Sequence, residues 1–156
     1  MNDIKTRYFE DVQLGDKFTS VGRTVTETDV VNYAGLSGDY NLIHTDAEFA
    51  KNSLMGQRIA HGMLVMCMSS GLFSRTPYSM SLSDSLIAAS GIKEWRFRKP
   101  VLMGDTVYNQ SEVIEKVDHH PERGKVIFKR LILNQRGEIV QEGIAEITVA
   151  KRPKDA

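Results

Sequence analysis

The amino-acid sequence predicts one α+β domain in which a curved antiparallel sheet wraps around a long central helix. The first observation is the segment from Gly62 to about Phe73, which is apolar almost all round and therefore indicates a buried helix. The second is the alternation of apolar and polar residues from Ser85 onward, which is typical of strands. The third is the helical pattern of the first half. Together they predict a two-layer α+β architecture, with its core from about residue 8 to residue 150 of the 156 residues.

The chain before the buried helix is predicted to form one strand and two helices. Residues 14–16 form a turn that leads into a strand over residues 17–25. Thr26 is expected to cap a helix whose early acidic residues suit the positive helix end, and Gly38 is expected to stop it. A second helix is predicted from the capping-box pattern of Thr45 and Glu48.

The second half is predicted to be an antiparallel sheet. Polar turn sequences separate its alternating segments, whereas residues 77–85 fit neither pattern and are expected to form a loop. A half-wrapped helix with open sheet edges favours association with a second copy of the chain. The strands are expected over residues 87–101, 106–117, 125–134 and 138–150.

Composition and charge exclude several classes of partner. Twenty basic and twenty acidic residues balance, so the sequence predicts neither a nucleic-acid nor an anionic-membrane partner. We find no leader-like segment and no apolar run long enough to span a bilayer. The single cysteine, Cys67, suits a reducing cytoplasm and lies in an apolar run, where we expect it to be buried and inert.

Asp39 and His44 are the candidate acid–base pair. They lie five residues apart in a turn-rich segment, so both side chains can point into one small volume. Such a pair can hold and activate a water molecule, because imidazole titrates near neutral pH and a carboxylate orients water. Spacing alone leaves a structural alternative open, in which Asp39 caps a backbone amide and His44 serves only the fold.

Gly62 is the candidate anion-binding residue. A glycine at the start of a buried helix offers free amides and the positive end of the helix dipole to a developing oxyanion. The alternative is a glycine chosen for close packing. His61 can join the site or can be a packing residue, while His119 and His120 are expected in an exposed hairpin loop. Four scattered histidines and one cysteine predict no metal site.

Three motifs resemble the MaoC-like, (R)-specific enoyl-CoA hydratases. They are Ser37-Gly38-Asp39-x-Asn41-x-Ile43-His44-x-Asp46, then Ala60-His61-Gly62-Met63-Leu64, and then Phe97-Arg98-Lys99-Pro100-Val101-x-x-Gly104-Asp105-Thr106. The resemblance spans roughly residues 8–149. It implies the hotdog fold, a homodimer or an assembly of dimers, and no metal or redox cofactor.

The resemblance also implies a reaction and a role for each matching residue. Water adds syn to a trans-2-enoyl-CoA to give the (3R)-3-hydroxyacyl-CoA, or leaves in the reverse direction, and CoA or an acyl-carrier pantetheine is part of the substrate. Asp39 and His44 correspond to the catalytic pair, and the Gly62 amide to the oxyanion donor. Asn41 matches the asparagine of the same loop, and Ser70 matches a serine that supports the aspartate.

One position departs from the family pattern, and two other functions stay open. The family usually has proline after the asparagine, where this chain has Leu42, which leaves the loop freer before folding. A hotdog acyl-CoA thioesterase and a non-catalytic acyl-thioester-binding subunit are the alternatives. The spacing of Asp39 and His44 with His61-Gly62 favours the hydratase.

Overall fold

The computed structural model describes residues 5–154, which form a six-stranded antiparallel sheet and five α-helices. The sheet order is β1-β4-β5-β6-β3, with the short strand β2 also paired to β4. The predicted α+β class is confirmed. The strands are β1 (Lys17–Thr19), β2 (Arg23–Thr24), β3 (Leu86–Phe97), β4 (Thr106–His120), β5 (Arg123–Asn134) and β6 (Ile139–Ala150).

The helices precede the long strands, as predicted. Thr26 caps the first of them: its hydroxyl accepts the Asp29 N–H, and the Asp29 carboxylate accepts the Thr26 N–H. Gly38 ends that helix in the left-handed conformation, with φ of 74°. No helix within residues 5–154 is long and apolar enough to cross a membrane. The helices are α1 (Glu27–Ser37), α2 (Leu42–Thr45), α3 (Ala47–Lys51), α4 (Gly62–Ser74) and α5 (Pro77–Ser81).

Two local predictions were wrong, and a third was only partly right. Thr45 does not cap α3, because it closes α2 and its hydroxyl donates to backbone carbonyls of that turn; Asp46 caps α3 and accepts the Phe49 N–H. The predicted loop at residues 77–85 contains α5, which Thr76 caps and whose first residue is Pro77. The expected strand at residues 17–25 is divided into β1 and β2.

Helix α4 packs its inner face on the sheet. Leu64, Val65, Met68 and Leu72 join a core cluster with residues of β4, β5 and β6. The opposite face is open, so the prediction of a helix buried on all sides is wrong for the single chain. Cys67, expected to be buried, is exposed on this face, as are Met63 and Ser70.

Candidate active site

The segment between α1 and α3 positions the predicted acid–base pair. Gly38 turns the chain, and the Asp39 carboxylate accepts the Asn41 N–H at 3.2 Å. Asn41 in turn caps α2 by accepting the Ile43 N–H at 3.2 Å, which places His44 on that short helix. Asn41 therefore shapes the loop, and its exposed side chain makes its hydrogen bond to the chain itself.

His44 is held in one tautomer by a backbone carbonyl. Its Nδ1 lies 2.8 Å from the carbonyl oxygen of Ile59. Because a carbonyl oxygen only accepts hydrogen bonds, we assign the proton of the neutral ring to Nδ1. Nε2 then carries a lone pair, so neutral His44 can accept a proton through that atom.

His61 fixes the neighbouring backbone. The residue is 1% exposed, and its Nε2 lies 2.9 Å from the carbonyl oxygen of Asp39. Its ring packs against that of His44 with centroids 3.9 Å apart and an angle of 30° between the ring planes, and it also contacts Tyr33. Burial raises the pKa of Tyr33, and the nearby acidic groups of Cys67 and Asp39 raise it further, so this phenol stays neutral beside the pair.

The three side chains converge on one small volume. A carboxylate oxygen of Asp39 and one ring nitrogen each of His44 and His61 lie within 4.8 Å of one another. One nitrogen of each ring already faces a backbone carbonyl oxygen, so each imidazole has a single ring nitrogen left to offer. The geometry suits a water molecule between Asp39 and His44, because each of them offers it an acceptor.

Gly62 begins α4 at the edge of this volume. Its N–H has no acceptor within residues 5–154, as expected for the first turn of a helix. A Cβ at this position would lie 2.9 Å from two ring carbons of Phe97. Both interpretations of this glycine are therefore compatible with the structure, because it combines a free amide with close packing.

A cavity of about 410 Å³ connects these groups. Four of the predicted site residues line it: Asp39, His44, His61 and Gly62. The third sequence motif lines it as well, from Phe97 to Val101. Sequence reasoning missed the Ile59 carbonyl, which no side-chain pattern reveals.

Gln141 was also missed. It lines the cavity and is 2% exposed. A signal for it exists in the sequence, because this polar residue falls on the inward-facing positions of β6 with Ala145, Ile147 and Val149.

Ser70 is not brought to the site of its own chain. It lies eight residues after Gly62 on α4, which is about 12 Å along a helix axis. Its side chain is exposed and makes no hydrogen bond to Asp39 in the described structure. The predicted support of Asp39 by Ser70 is therefore absent within a single chain.

Comparison with known proteins gives relatives and a solved structure that are similar to this chain. The chain is 33% identical over 158 residues to an (R)-specific enoyl-CoA hydratase from Rhodospirillum rubrum, covering 97% of each protein. It is 39% identical over 101 residues to protein MaoC from Klebsiella aerogenes, which covers 65% of this chain but only 29% of that longer protein. A monoamine oxidase regulatory protein from Archaeoglobus fulgius superposes with a TM-score of 0.90 at 40% identity, covering 96% of this chain and 97% of that one.

The fold and the family follow from these matches. A double-hotdog protein from Mycobacterium tuberculosis superposes with a TM-score of 0.81 over 96% of this chain and 46% of that one; at 18% identity it shows the fold alone. The predicted hotdog fold is thereby confirmed. The model of the MaoC like domain matches residues 11–134. The chain therefore belongs to the MaoC-like domain family.

Proposed function

We propose that the protein adds water reversibly to a trans-2-enoyl-CoA and gives the (3R)-3-hydroxyacyl-CoA. The observation that carries the proposal is the contact between the Ile59 carbonyl and Nδ1 of His44, which leaves Nε2 to face the cavity that His44 shares with Asp39 and Gly62. The Rhodospirillum rubrum relative is an (R)-specific enoyl-CoA hydratase, which supports the same reaction class.

In the proposed mechanism, Asp39 and His44 hold one water molecule against the enoyl double bond. His44 Nε2 accepts a proton from the water as the water oxygen bonds to C3, and His44 then donates that proton to C2 on the same face of the double bond. Negative charge develops meanwhile on the thioester oxygen. The Gly62 N–H, at the positive end of α4, donates to that oxygen.

The proposed site requires no metal or redox cofactor. The CoA thioester itself conjugates the double bond and makes C3 electrophilic, and the chain supplies proton transfer and an oxyanion donor. An acyl-carrier pantetheine presents the same thioester to the site.

The proposed active form is a homodimer. The cavity lies beside two surfaces that are open in the single chain: the outer face of α4 and the edge strand β3. Met63 of α4 and Phe97 of β3 both line the cavity, and their side chains are 48% and 54% exposed. A second copy packed there would close the cavity and exclude water.

The test is an assay with crotonyl-CoA that follows the conjugated enoyl-thioester absorbance and free thiol in parallel. We expect the absorbance to fall without release of thiol, whereas release of thiol would support a thioesterase. Asp39→Asn and His44→Gln should each lower turnover by about 10²–10⁴-fold, the usual contribution of general acid–base catalysis, without unfolding the protein.

His119→Gln is the matched control, because His119 is exposed in the β4–β5 hairpin. Its turnover should equal that of the unchanged protein. Near-normal rates in both site variants would show that the site is wrongly assigned. A protein that leaves short, long and branched enoyl-CoAs unchanged would contradict the proposed function.

A further inference from the structure

Strand β3 contains a local distortion next to the site. Glu94 has φ of 52°, the only positive φ of a non-glycine residue within residues 5–154. It lies in a β-bulge, because the three-residue step from Lys93 to Arg96 faces the two-residue step from Ile144 to Glu142 on β6. A bulge redirects the side chains beside it, and strained residues of this kind often lie near functional sites.

The side chain beside this distortion is Trp95. Its indole lies on Gly143 of β6, where an added Cβ would come within 2.4 Å of a ring carbon. The bulge and Gly143 together make room for the indole, because any side chain at position 143 would clash with it. In this position the indole Nε1 donates a hydrogen bond to Oε1 of Gln141 at 3.0 Å.

Gln141 links Trp95 to Gly62, the first residue of α4. Its Nε2 donates to the carbonyl oxygen of Gly62 at 2.9 Å. The indole N–H is a donor only and the carbonyl an acceptor only, so just one orientation of the Gln141 amide satisfies both. At 2% exposure, the amide has little freedom to take another orientation.

We propose that Trp95 and Gln141 are positioning residues that aim the Gly62 N–H at the thioester oxygen. The inference rests on the proposed function. The Gly62 N–H and the Gly62 carbonyl belong to consecutive peptide groups that meet at a Cα without a side chain, so hydrogen bonds to these groups restrict the angle between them. The hydrogen bond from Gln141 fixes the carbonyl from the sheet and thereby steadies the N–H, and an oxyanion donor is effective because it is oriented before the reaction.

The first test replaces Gln141 with methionine, which keeps the length of the side chain and removes both hydrogen bonds. Loss of a direct oxyanion donor costs about 10²–10³-fold in kcat, so loss of its support should cost less, roughly tenfold. KM for crotonyl-CoA should change by less than about threefold, because the Gly62 N–H acts mainly on the transition state. Gln110→Met, a half-buried glutamine on β4 away from the cavity, is the control and should leave both constants unchanged.

A double-variant cycle tests whether the two residues act as one unit. Trp95→Phe keeps an aromatic ring over Gly143 and removes the donor to Gln141. As a single substitution it should lower kcat, and it should have no further effect on kcat when Gln141 is already methionine. Independent, multiplying losses would overturn the inference.

A spectroscopic probe separates positioning from a purely structural role. The absorbance of a bound 4-(dimethylamino)cinnamoyl-CoA moves to longer wavelength when its thioester oxygen accepts a hydrogen bond. We expect this shift in the unchanged protein and a smaller shift in Gln141→Met. Equal shifts and equal kcat values in folded Gln141→Met would overturn the inference. If the unchanged protein hydrates no enoyl-CoA, the proposed function fails, and the probe shift still decides the role of Gln141.

Discussion

At the scale of single residues, His44 derives its chemistry from a backbone atom. The same imidazole could present either nitrogen to the cavity, and the Ile59 carbonyl selects Nε2. The spacing of Asp39 and His44 showed that their side chains could point into one volume, and the motif resemblance assigned them as a pair. The carbonyl that orients His44 comes from a segment fifteen residues further on and carries no side-chain signature. The residue types of the site could therefore be predicted, but not their protonation pattern.

Leu42 is the first residue of α2, where proline is well accommodated. Its N–H donates no hydrogen bond within residues 5–154, and Asn41 has ψ of 133°, a value suited to a residue before proline. Leu42→Pro should raise the free energy of unfolding by about 0.4–1 kcal/mol, because it restricts the unfolded chain. Urea denaturation measures this change. Turnover should stay within about twofold of that of the unchanged protein. A loss of stability would show that the backbone of the loop does not suit proline.

Arg130 carries a buried charge. It is 7% exposed, lies over the Phe73 ring at 3.9 Å, takes part in none of the ion pairs of residues 5–154, and has an Nε without a hydrogen bond. Burial lowers the pKa of Arg130 to about 10. Because the folded state binds this proton more weakly than the unfolded state, the penalty is complete at neutral pH and falls only as pH rises above 10.

Arg130→Met should therefore stabilise the fold at pH 7. The cation–π contact contributes about 0.5–2 kcal/mol, and methionine replaces part of it with a sulfur–aromatic contact. The desolvation penalty is larger, about 3 kcal/mol by the pKa difference, so we expect a net gain of about 1–2 kcal/mol. Thermal and urea unfolding measure it, with the exposed neighbour replaced in Lys129→Met as control. A marked loss of stability would indicate that Arg130 has a polar partner.

At the scale of elements, strong patterns and caps predicted most of the helices and strands. Thr26 and Gly38 fix both ends of α1, and alternation fixed the four long strands to within a few residues, apart from the C-terminal end of β3. Helix α5 was missed because five residues are too few to show a helical period. Its signal was nevertheless present: Thr76 followed by Pro77 is a helix start.

The last part of the third sequence motif, Gly104-Asp105, stabilises the fold. Gly104 turns the chain with φ of 94°, and Asp105 is 5% exposed in the turn before β4. Burial alone would raise the pKa of Asp105. Hydrogen bonds from Gln135, the Leu102 amide and Arg136 outweigh that effect, and the pKa is lowered.

Asp105→Asn should lower the free energy of unfolding by about 1–3 kcal/mol at pH 7, because it removes a charged acceptor from buried donors. The folded-state pKa lies below the unfolded value, so the stabilisation is complete above the unfolded pKa of about 3.9 and is lost as pH falls through the folded pKa. The two proteins should therefore converge in stability at acid pH. Asp118→Asn, at an exposed ion pair, should change stability by less than about 0.5 kcal/mol. A pH-independent difference for Asp105→Asn would contradict this account.

At the scale of the whole molecule, the single chain exposes apolar side chains along strand β3 and on the outer face of α4. Among the described residues 5–154, strand β3 pairs with β6 alone, so its other edge has free backbone donors and acceptors there. Leu86, Ile87 and Ile92 on this strand are 43–55% exposed. The exposed face of α4 adds Met63 and Cys67. A surface of this kind is typical of an interface, because monomers rarely expose large contiguous apolar patches.

Ile92→Lys tests the proposed homodimer. A lysine on the open edge of β3 opposes pairing of that edge with a second strand and places a charge in the apolar surface. We expect light scattering after size-exclusion chromatography to give twice the chain mass for the unchanged protein and the chain mass for the variant. Turnover of crotonyl-CoA should be lower in the monomeric variant, because without the second copy the cavity is open to water. Val21→Lys, at a 70% exposed position between β1 and β2, is the matched control and should remain dimeric and active. If the unchanged protein has the mass of a single chain at assay concentration, the proposed dimer is wrong. If Ile92→Lys is dimeric and fully active, the interface lies elsewhere.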